Sequence, residues 1–421
     1  MELINGLFDF IKNSPSAYHT VDTVEKMLIA DGYTELSESE KINLCDGGKY
    51  YIKKNGSSLV AFRYSSSAES FMICASHSDS PAFKVKGDFN YSEYTKLAVE
   101  KYGGMIYYSW FDRPLSVAGR VYLKSDTGIE RRLVNFEKDL AVIPSLAIHM
   151  NRGVNDGYKF NPASDLLPIA SIGCEGLLGL LSNELSVKKE DIISHDLFLY
   201  ARDEGKLIGE DYILSPRLDD LACVYASLIA FLSARRTKTI PVFAVFDNEE
   251  VGSETKQGAA SVFFSELLRE IAGENFAKML PASFMVSADN AHAEHPNHLE
   301  LADKFNCTTI GGGVVIKYNA NQKYTTDAYS DAIFRSIAGK ADAKVQSFSN
   351  PADMLGGSTL GSIATTKLPI ATVDIGLPQL AMHSANETMG VSDLSDMVKA
   401  LTEFYSTRLV KNGDKTEIKN T

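Results

Sequence analysis

The segment IPVFAVFDNEEVG, residues 240–252, decides how the rest of the chain is interpreted, because it joins an apolar run directly to an acidic cluster. The apolar part has the length and composition of a buried strand. The polar part begins at Asp247, at the carboxyl end of that strand. In open sheets of parallel strands, ligands bind beyond the carboxyl ends of the strands. This acidic cluster is therefore a candidate site.

Two other apolar runs end in the same way. Residues 71–75 are followed by Ser76 and His77, and residues 284–288 are followed by Asp289. Parallel strands bring such ends to one edge of a sheet. We therefore expect His77, Asp289 and the acidic cluster to lie close together.

Helices are predicted between the strands. Apolar residues recur at helical spacing from Leu218 to Leu232, and residues 258–271 are read as a second helix. Ser392 is expected to cap a closing helix that extends to Tyr405. This alternation predicts an α/β fold with a mostly parallel sheet flanked by helices.

The middle of the chain has a different character. Short β-like runs, such as 120–123 and 197–200, alternate there with glycine turns. We interpret residues 85–212 as an inserted, mainly β domain. Residues 1–84 and 213–421 would then form one catalytic domain.

Composition excludes several classes of protein. The 421 residues carry a formal net charge of -12, whereas nucleic-acid binders normally present a basic face. No apolar stretch approaches the roughly 20 residues of a membrane helix, and no signal peptide is evident. The cysteines are scattered and form no Cys-x-x-Cys pair, which is typical of a reducing compartment. They are Cys45, Cys74, Cys174, Cys223 and Cys307. We expect a cytoplasmic enzyme with no membrane or nucleic-acid partner.

Histidines and carboxylates dominate the polar motifs, a combination that suits zinc, cobalt or manganese. The motifs are residues 77–81 (HSDSP), 217–220 (RLDD), 247–252 (DNEEVG), 287–290 (SADN) and 382–384 (MHS). A two-metal hydrolase needs one bridging ligand and about two further ligands for each ion. Each motif alone has a simpler reading, since Asp219 could be a helix N-cap and the acidic cluster a solvated turn.

The order of these motifs resembles the aspartyl aminopeptidases, a family within the two-metal aminopeptidases. The resemblance extends over nearly the whole chain. It is carried by residues 110–115 (WFDRPL), 147–149 (AIH), 215–219 (SPRLD), 247–253 (DNEEVGS), 291–297 (AHAEHPN), 319–322 (NANQ) and 357–361 (GSTLG). It implies hydrolysis of the N-terminal peptide bond, with a preference for acidic first residues.

The resemblance also assigns roles to individual residues. Asp219 bridges two divalent ions, zinc foremost with cobalt or manganese as alternatives. His77 and Asp289 complete one ion site, and Glu250 and His383 complete the other.

Further roles follow from the same resemblance. Glu249 is the general base toward a hydroxide that bridges the ions, and Asp79 supports His77. His149 is expected to reach the active site of a neighbouring subunit, where our mechanistic hypothesis lets it donate a hydrogen bond to the developing oxyanion. The substrate-pocket positions are Lys317, Tyr324, Gly357 and Thr359. Family members form dimers that build a tetrahedral dodecamer, so the inserted domain is expected to be the dimerisation domain.

The chain departs from the family pattern at two places. Asp220 stands where the family has Asn, and residues 353–357 read DMLGG where Pro and Cys, or a similar small residue, are expected. Neither departure removes a ligand. The second bears on the shape of the substrate pocket.

Two alternative functions remain open. A two-metal amidase that deacylates N-acyl amino acids would use the same ligands but recognise a carboxylate. An assembly or cargo protein would keep the fold without the chemistry. Nearby, His292, His295 and His298 occur at a spacing of three residues, but Pro296 disfavours a regular helix, so we interpret them as parts of a structural loop.

Overall fold

The computed structural model of the chain describes residues 1–173 and 175–420. Cys174, one of the cysteines counted above, lies outside the described residues. The other four cysteines are free thiols.

Strands and helices both occur along the whole of the described chain. The strands are β1 (Thr34–Glu35), β2 (Lys49–Lys54), β3 (Ser58–Arg63), β4 (Ser70–His77), β5 (Ala82–Tyr91), β6 (Tyr94–Tyr102), β7 (Leu115–Ser125), β8 (Gly128–Asn135), β9 (Ala141–Val142), β10 (Ile169–Ala170), β11 (Ile192–Ala201), β12 (Lys206–Ile208), β13 (Tyr212–Ser215), β14 (Thr239–Phe246), β15 (Phe284–Ala288), β16 (Ala291–His292), β17 (Val314–Tyr318), β18 (Val345–Ser349), β19 (Ala371–Gly376), β20 (Pro378–Leu380), β21 (Glu387–Gly390), β22 (Arg408–Asn412) and β23 (Lys415–Lys419). The α-helices are α1 (Glu2–Lys12), α2 (Ala17–Ala30), α3 (Gly176–Leu185), α4 (Leu218–Ser233), α5 (Phe263–Ala272), α6 (Phe276–Met279), α7 (Ala328–Lys340), α8 (Leu360–Ala364) and α9 (Val391–Tyr405). Short 3-10 turns lie at Tyr107–Trp110, Val154–Asp156, Lys189–Asp191, Glu249–Val251, Gly273–Asn275, Leu280–Ala282 and Leu299–Leu301.

The largest sheet has the strand order β1-β2-β3-β14-β4-β15-β19-β17-β18. Its centre, from β14 through β4 and β15 to β19, is parallel, and antiparallel pairs join β3 to β14 and β17 to β19. The predicted α/β fold with a mostly parallel sheet is therefore confirmed.

Helices cover both faces of this sheet, because successive side chains of a strand point to opposite faces. In β4, Met72 and Cys74 belong to the core shared with α1, α2, α4, α7 and α9. Phe71, Ile73 and Ala75 belong to the core shared with α5, α6 and α8. All five side chains are fully buried, which explains the continuous apolar runs in the sequence.

A second sheet forms a closed β-barrel. Its order is β11-β5-β6-β10-β9-β7-β8, and a further pairing of β11 with β7 closes the ring. Helix α3 packs against it, with Leu177 and Leu181 in a separate hydrophobic core. The barrel strands extend from Ala82 to Ala201, so an inserted β domain is present between β4 and α4.

A small sheet of order β12-β13-β21-β20-β16 links the chain that leaves the barrel to the C-terminal part. Tyr212 pairs with Gly390, and Ser215 pairs with Glu387. The division of the chain at residues 85 and 212 stays a proposal.

Two local predictions were wrong. Helix α5 begins at Phe263 rather than at residue 258, because Gly258 lies against the backbone of Ser253 and residues 258–262 form turns. Helix α9 begins at Val391 with Gly390 as N-cap, so Ser392 does not cap it.

No helix within the described ranges is long and apolar enough to cross a membrane.

Replacing Phe231 with Ala should lower the free energy of unfolding by about 3–5 kcal/mol, the usual cost of emptying a core aromatic site. Its ring is fully buried against Tyr33, Phe243 and Tyr405. Denaturant unfolding measures the change. Phe305→Ala is the matched control, since Phe305 is 90% exposed and should change stability by less than about 0.5 kcal/mol. Equal effects of the two substitutions would contradict this core.

Candidate metal centre

Three neighbouring parallel strands deliver polar side chains to one edge of the large sheet. His77 is the last residue of β4 and lies opposite Phe246, the last residue of β14. The acidic cluster therefore begins beside His77. Asp289 follows β15 on the other side of β4, and its N–H donates to the carbonyl of Ile375 at 3.0 Å. The strand ends lie together as the sequence indicated.

Asp219 lies between two histidines and faces each with a different oxygen. Its Oδ1 is 3.5 Å from Nε2 of His77, and its Oδ2 is 3.5 Å from Nε2 of His383. Oδ1 of Asp289 lies 4.0 Å from Nε2 of His77, and Oε1 of Glu250 lies 3.5 Å from Nε2 of His383. This is the geometry expected of a carboxylate shared by two cations.

The other ring nitrogen of each histidine is held by a carbonyl. Nδ1 of His77 lies 3.1 Å from the carbonyl oxygen of Asp79, and Nδ1 of His383 lies 2.7 Å from that of Gly104. A carbonyl accepts only from a protonated nitrogen, so each ring carries its proton on Nδ1. Both Nε2 atoms are then available as ligands, as in many metal sites.

The site contains carboxylate oxygens that lack hydrogen-bond donors. Within the described residues, Oδ1 of Asp219, Oδ1 of Asp220 and Oε1 of Glu250 are buried and have no hydrogen-bond partner. Buried carboxylates of this kind are stable either in the protonated form or beside a compensating cation. Among the described residues, two groups could hold an ion. One consists of His77, Asp219, Asp220 and Asp289, and the other of Asp219, Glu250 and His383. The residues fit a pair of divalent ions bound by nitrogen and oxygen.

Burial dominates the electrostatics of these acids. It raises the pKa of Glu249 to about 8 and the pKa values of Glu250 and Asp289 above their usual range. Asp219 differs, because the positive charge of the nearby His383 and His77 holds its pKa below the usual range despite burial. Asp219 is thus the most readily ionised of these four carboxylates.

Asp79 organises the acidic loop. Its Oδ1 accepts the N–H of Glu249 at 3.2 Å, and its Oδ2 accepts the N–H of Glu250 at 3.1 Å. The hydroxyl of Tyr102 donates to the same Oδ2 at 2.6 Å, and Nδ2 of Asn248 donates to that hydroxyl at 2.9 Å. The buried carboxylate of Asp79 therefore fixes the backbone positions of both Glu249 and Glu250.

The barrel contributes directly to this centre, which the sequence did not indicate. Tyr102 ends β6, and Gly104 follows it and accepts from His383. Gly103 has a φ of 75°, and a Cβ there would lie 3.1 Å from Cβ of Glu250. The turn at Gly103 and Gly104 therefore contacts two residues of the candidate metal centre, Glu250 and His383.

Glu387 was also missed. It is 2% exposed, and its carboxylate accepts the N–H of Asp219 at 2.9 Å and the N–H of His383 at 2.7 Å. Burial and the nearby Asp219 raise its pKa to about 8. The only available signal was an acid four residues after His383 within a short β segment.

The predicted pocket residues are more dispersed. Lys317 is buried, donates to the carbonyl of Asn290 at 2.9 Å and lies 3.6 Å from Oδ2 of Asp289. Tyr324 is buried, and its ring faces the Lys317 ammonium at 5.4 Å. Thr359 is buried and donates to Asp374 at 2.6 Å.

Gly357 instead lines a cavity of about 300 Å³ beside the metal centre. His292, His295 and His298 line the same cavity. In the part of the chain that the structure describes, none of these histidines belongs to a group able to hold an ion.

His149 belongs to the inserted β domain. It is exposed on an irregular barrel segment, with Leu146, Ile148 and Met150 exposed beside it. Within this chain it is not part of either ion-binding group.

Comparison with known proteins identifies relatives over almost the whole chain. The sequence model of the aminopeptidase I zinc metalloproteases, M18, matches residues 10–405. A probable M18 family aminopeptidase 2 of Clostridium acetobutylicum is 43% identical, covering 96% of this chain and 99% of its own length. The corresponding protein of Pseudomonas paraeruginosa is 38% identical, with 96% and 98% covered.

Solved structures share the fold. A chain of the Ape4 and Nbr1 complex has a TM-score of 0.91 at 32% identity, covering 96% of this chain and 85% of that one. The Saccharomyces cerevisiae mApe1 dodecamer has a TM-score of 0.84 at 25% identity, with 96% of each chain covered.

Replacing Glu387 with Ala should lower the free energy of unfolding of the metal-free protein by about 2–4 kcal/mol, because two buried N–H groups lose their acceptor. The metal content of the purified protein should fall as well, since both N–H groups belong to residues of the centre. Denaturant unfolding and elemental analysis measure the two effects. Glu300→Ala, at an exposed glutamate, is the control. Native stability and metal content in Glu387→Ala would contradict this role.

Proposed function

This chain belongs to the aminopeptidase I zinc metalloprotease family, M18, and from that premise we propose that two ions bound about Asp219 carry out its aminopeptidase reaction. The proposed ligands are His77, Asp219, Glu250, Asp289 and His383. The observation that carries the proposal is the placement of the two Asp219 oxygens, each 3.5 Å from a different histidine Nε2. Zinc is the expected ion, with cobalt and manganese as alternatives.

When bound, the ions polarise the scissile carbonyl and lower the pKa of water enough to supply a nucleophile at neutral pH. Residues around the proposed ligands determine where the ions would bind. The carbonyls of Asp79 and Gly104 orient the two imidazoles, and Glu387 fixes the backbone of Asp219 and His383. The substrate is a peptide with a free N-terminus.

Glu249 is proposed as the general base. Its neighbour Glu250 faces His383, whereas Glu249 is in neither ion-binding group. Its side chain is thus free to take a proton from water and return it to the nitrogen of the leaving amine. In the metal-free chain burial raises its pKa to about 8, so this carboxyl holds a proton more readily than an exposed glutamate.

His149 is proposed to act in a neighbouring subunit, where it would donate a hydrogen bond to the developing oxyanion. Its exposure on the barrel, among the exposed apolar residues Leu146, Ile148 and Met150, supports an interface there. The relative in yeast is a dodecamer. We therefore propose that the barrel forms dimers and that these build a dodecamer.

An acidic first residue is the proposed substrate preference. Lys317 is the basic group proposed to attract the substrate carboxylate, and its ammonium lies 3.6 Å from Oδ2 of Asp289. Tyr324, Gly357 and Thr359 are assigned to the same region. The ammonium of Lys317 already faces the carboxylate of Asp289. Asp289 therefore reduces the attraction of this ammonium for a substrate carboxylate.

Replacing Glu249 with Gln should lower kcat by about 10²–10⁴-fold, the usual contribution of a general base, while the metal content stays unchanged. Steady-state kinetics and elemental analysis on the same sample measure both. Glu254→Gln, at an exposed glutamate of the same loop, should keep native activity. Native turnover in Glu249→Gln would refute the assignment.

Peptides that begin with Asp or Glu should be cleaved with a higher kcat/KM than matched peptides that begin with Leu or Lys. The panel is run with zinc, cobalt and manganese. An N-acetylated copy of the best substrate is the control and should resist cleavage. A preference for Leu or Lys would refute the acidic specificity, and cleavage of the blocked peptide alone would favour an amidase.

A further inference from the structure

Asp220 is a fully buried carboxylate next to the bridging residue. Its Oδ2 accepts the N–H of His77 at 3.2 Å. Its Oδ1 is buried and has no hydrogen-bond partner among the residues that the structure describes. The same is true of oxygens of Asp219 and Glu250, two of the proposed ligands.

The position of Asp220 matches that of a ligand. One potential ligand atom from each of His77, Asp219, Asp220 and Asp289 lies within 4.8 Å of all the others. Glu250 and His383 form their group with Asp219 alone. The two halves of the centre are therefore unequal, with three carboxylates around His77 and two around His383.

Among the described residues, Asp220 forms no ion pair with a lysine or arginine, and His77 is the basic group that acts on its carboxylate. The ammonium of Lys317 lies 3.6 Å from Asp289 and donates to the carbonyl of Asn290. On the side of α4, the thiol of Cys223 donates to Oδ1 of Asn290 at 3.1 Å. An unpaired buried carboxylate is strongly unfavourable, and removal of compensation from such a group is costly.

The hydrogen bond from the backbone N–H of His77 does not require a carboxylate at position 220. An Asn at this position would offer its own Oδ1 to that N–H, and its second atom would be an amide nitrogen that cannot bind a cation. The difference between Asp and Asn here is therefore the free oxygen and its charge.

We propose that Asp220 is a further ligand of the ion held by His77, Asp219 and Asp289, and that its Oδ1 makes this the tighter of the two ion sites. This inference rests on the two-ion function proposed above. A third carboxylate increases the attraction for a divalent cation, and its backbone hydrogen bond to His77 keeps it at the site.

The test is zinc titration of the metal-free protein against a competing chelator, for the native chain and Asp220→Asn. The substitution is isosteric and retains an acceptor for the N–H of His77. The tighter binding step should weaken by about 10–100-fold, the range seen when groups at a metal site are altered. The weaker step should stay within about twofold of the native value.

Asp393→Asn is the matched control. Asp393 is equally buried, and its carboxylate accepts the N–H groups of Gly311 and Gly313 at 2.8 Å, away from the centre. It should lose stability but retain both zinc-binding steps. Thermal unfolding of the metal-free proteins serves as a second readout, and Asp220→Asn should be at least as stable as the native chain because crowding of carboxylates is relieved.

The outcomes separate the two proposals. A native chain that binds fewer than two zinc ions contradicts the two-ion function. Two ions in the native chain with an unchanged tight step in Asp220→Asn overturns only the role of Asp220. A metal-free Asp220→Asn protein that fails to fold, or is less stable than the native chain, also overturns it, because Asp220 would then serve the fold rather than the ion.

Discussion

Mutual repulsion among buried carboxylates is the constraint on which this structure depends. Asp219, Asp220, Glu250, Asp289 and Glu387 lie together at one end of the sheet, where burial alone disfavours their charged forms. The fold compensates part of the charge with backbone N–H groups. Oxygens of Asp219, Asp220 and Glu250 are left without donors among the described residues, and the proposed ions would compensate their charge.

The barrel is part of this arrangement rather than an appendage. Tyr102 and Gly104, at its edge, contact Asp79 and His383. A change in how the barrel sits on the sheet would therefore move ligands on both sides of Asp219. The same barrel carries His149 and its exposed apolar neighbours, so the proposed subunit interface and the candidate metal centre share this domain.

The sequence predicted the parts of the site that follow from strand pattern and motif. His77 and Asp289 follow apolar runs, and these runs became central parallel strands. It could not predict Glu387 or Gly104, because their roles arise from backbone contacts between segments far apart in the chain. Lys317 was placed near the pocket by resemblance, yet its ammonium faces Asp289, a pairing that only the three-dimensional arrangement reveals. The first residues of α5 and α9 were predicted wrongly because local turn geometry, rather than the periodicity of apolar residues, determines where these helices begin.

The central claim is that one carboxylate, that of Asp219, joins two ions. Anomalous diffraction at the zinc edge from zinc-loaded crystals tests it most directly. We expect two zinc peaks per subunit, one between Nε2 of His77 and Asp289 and one between Nε2 of His383 and Glu250. Each zinc ion should bind a different oxygen of Asp219. A single peak, or a second peak away from Asp219, would contradict it.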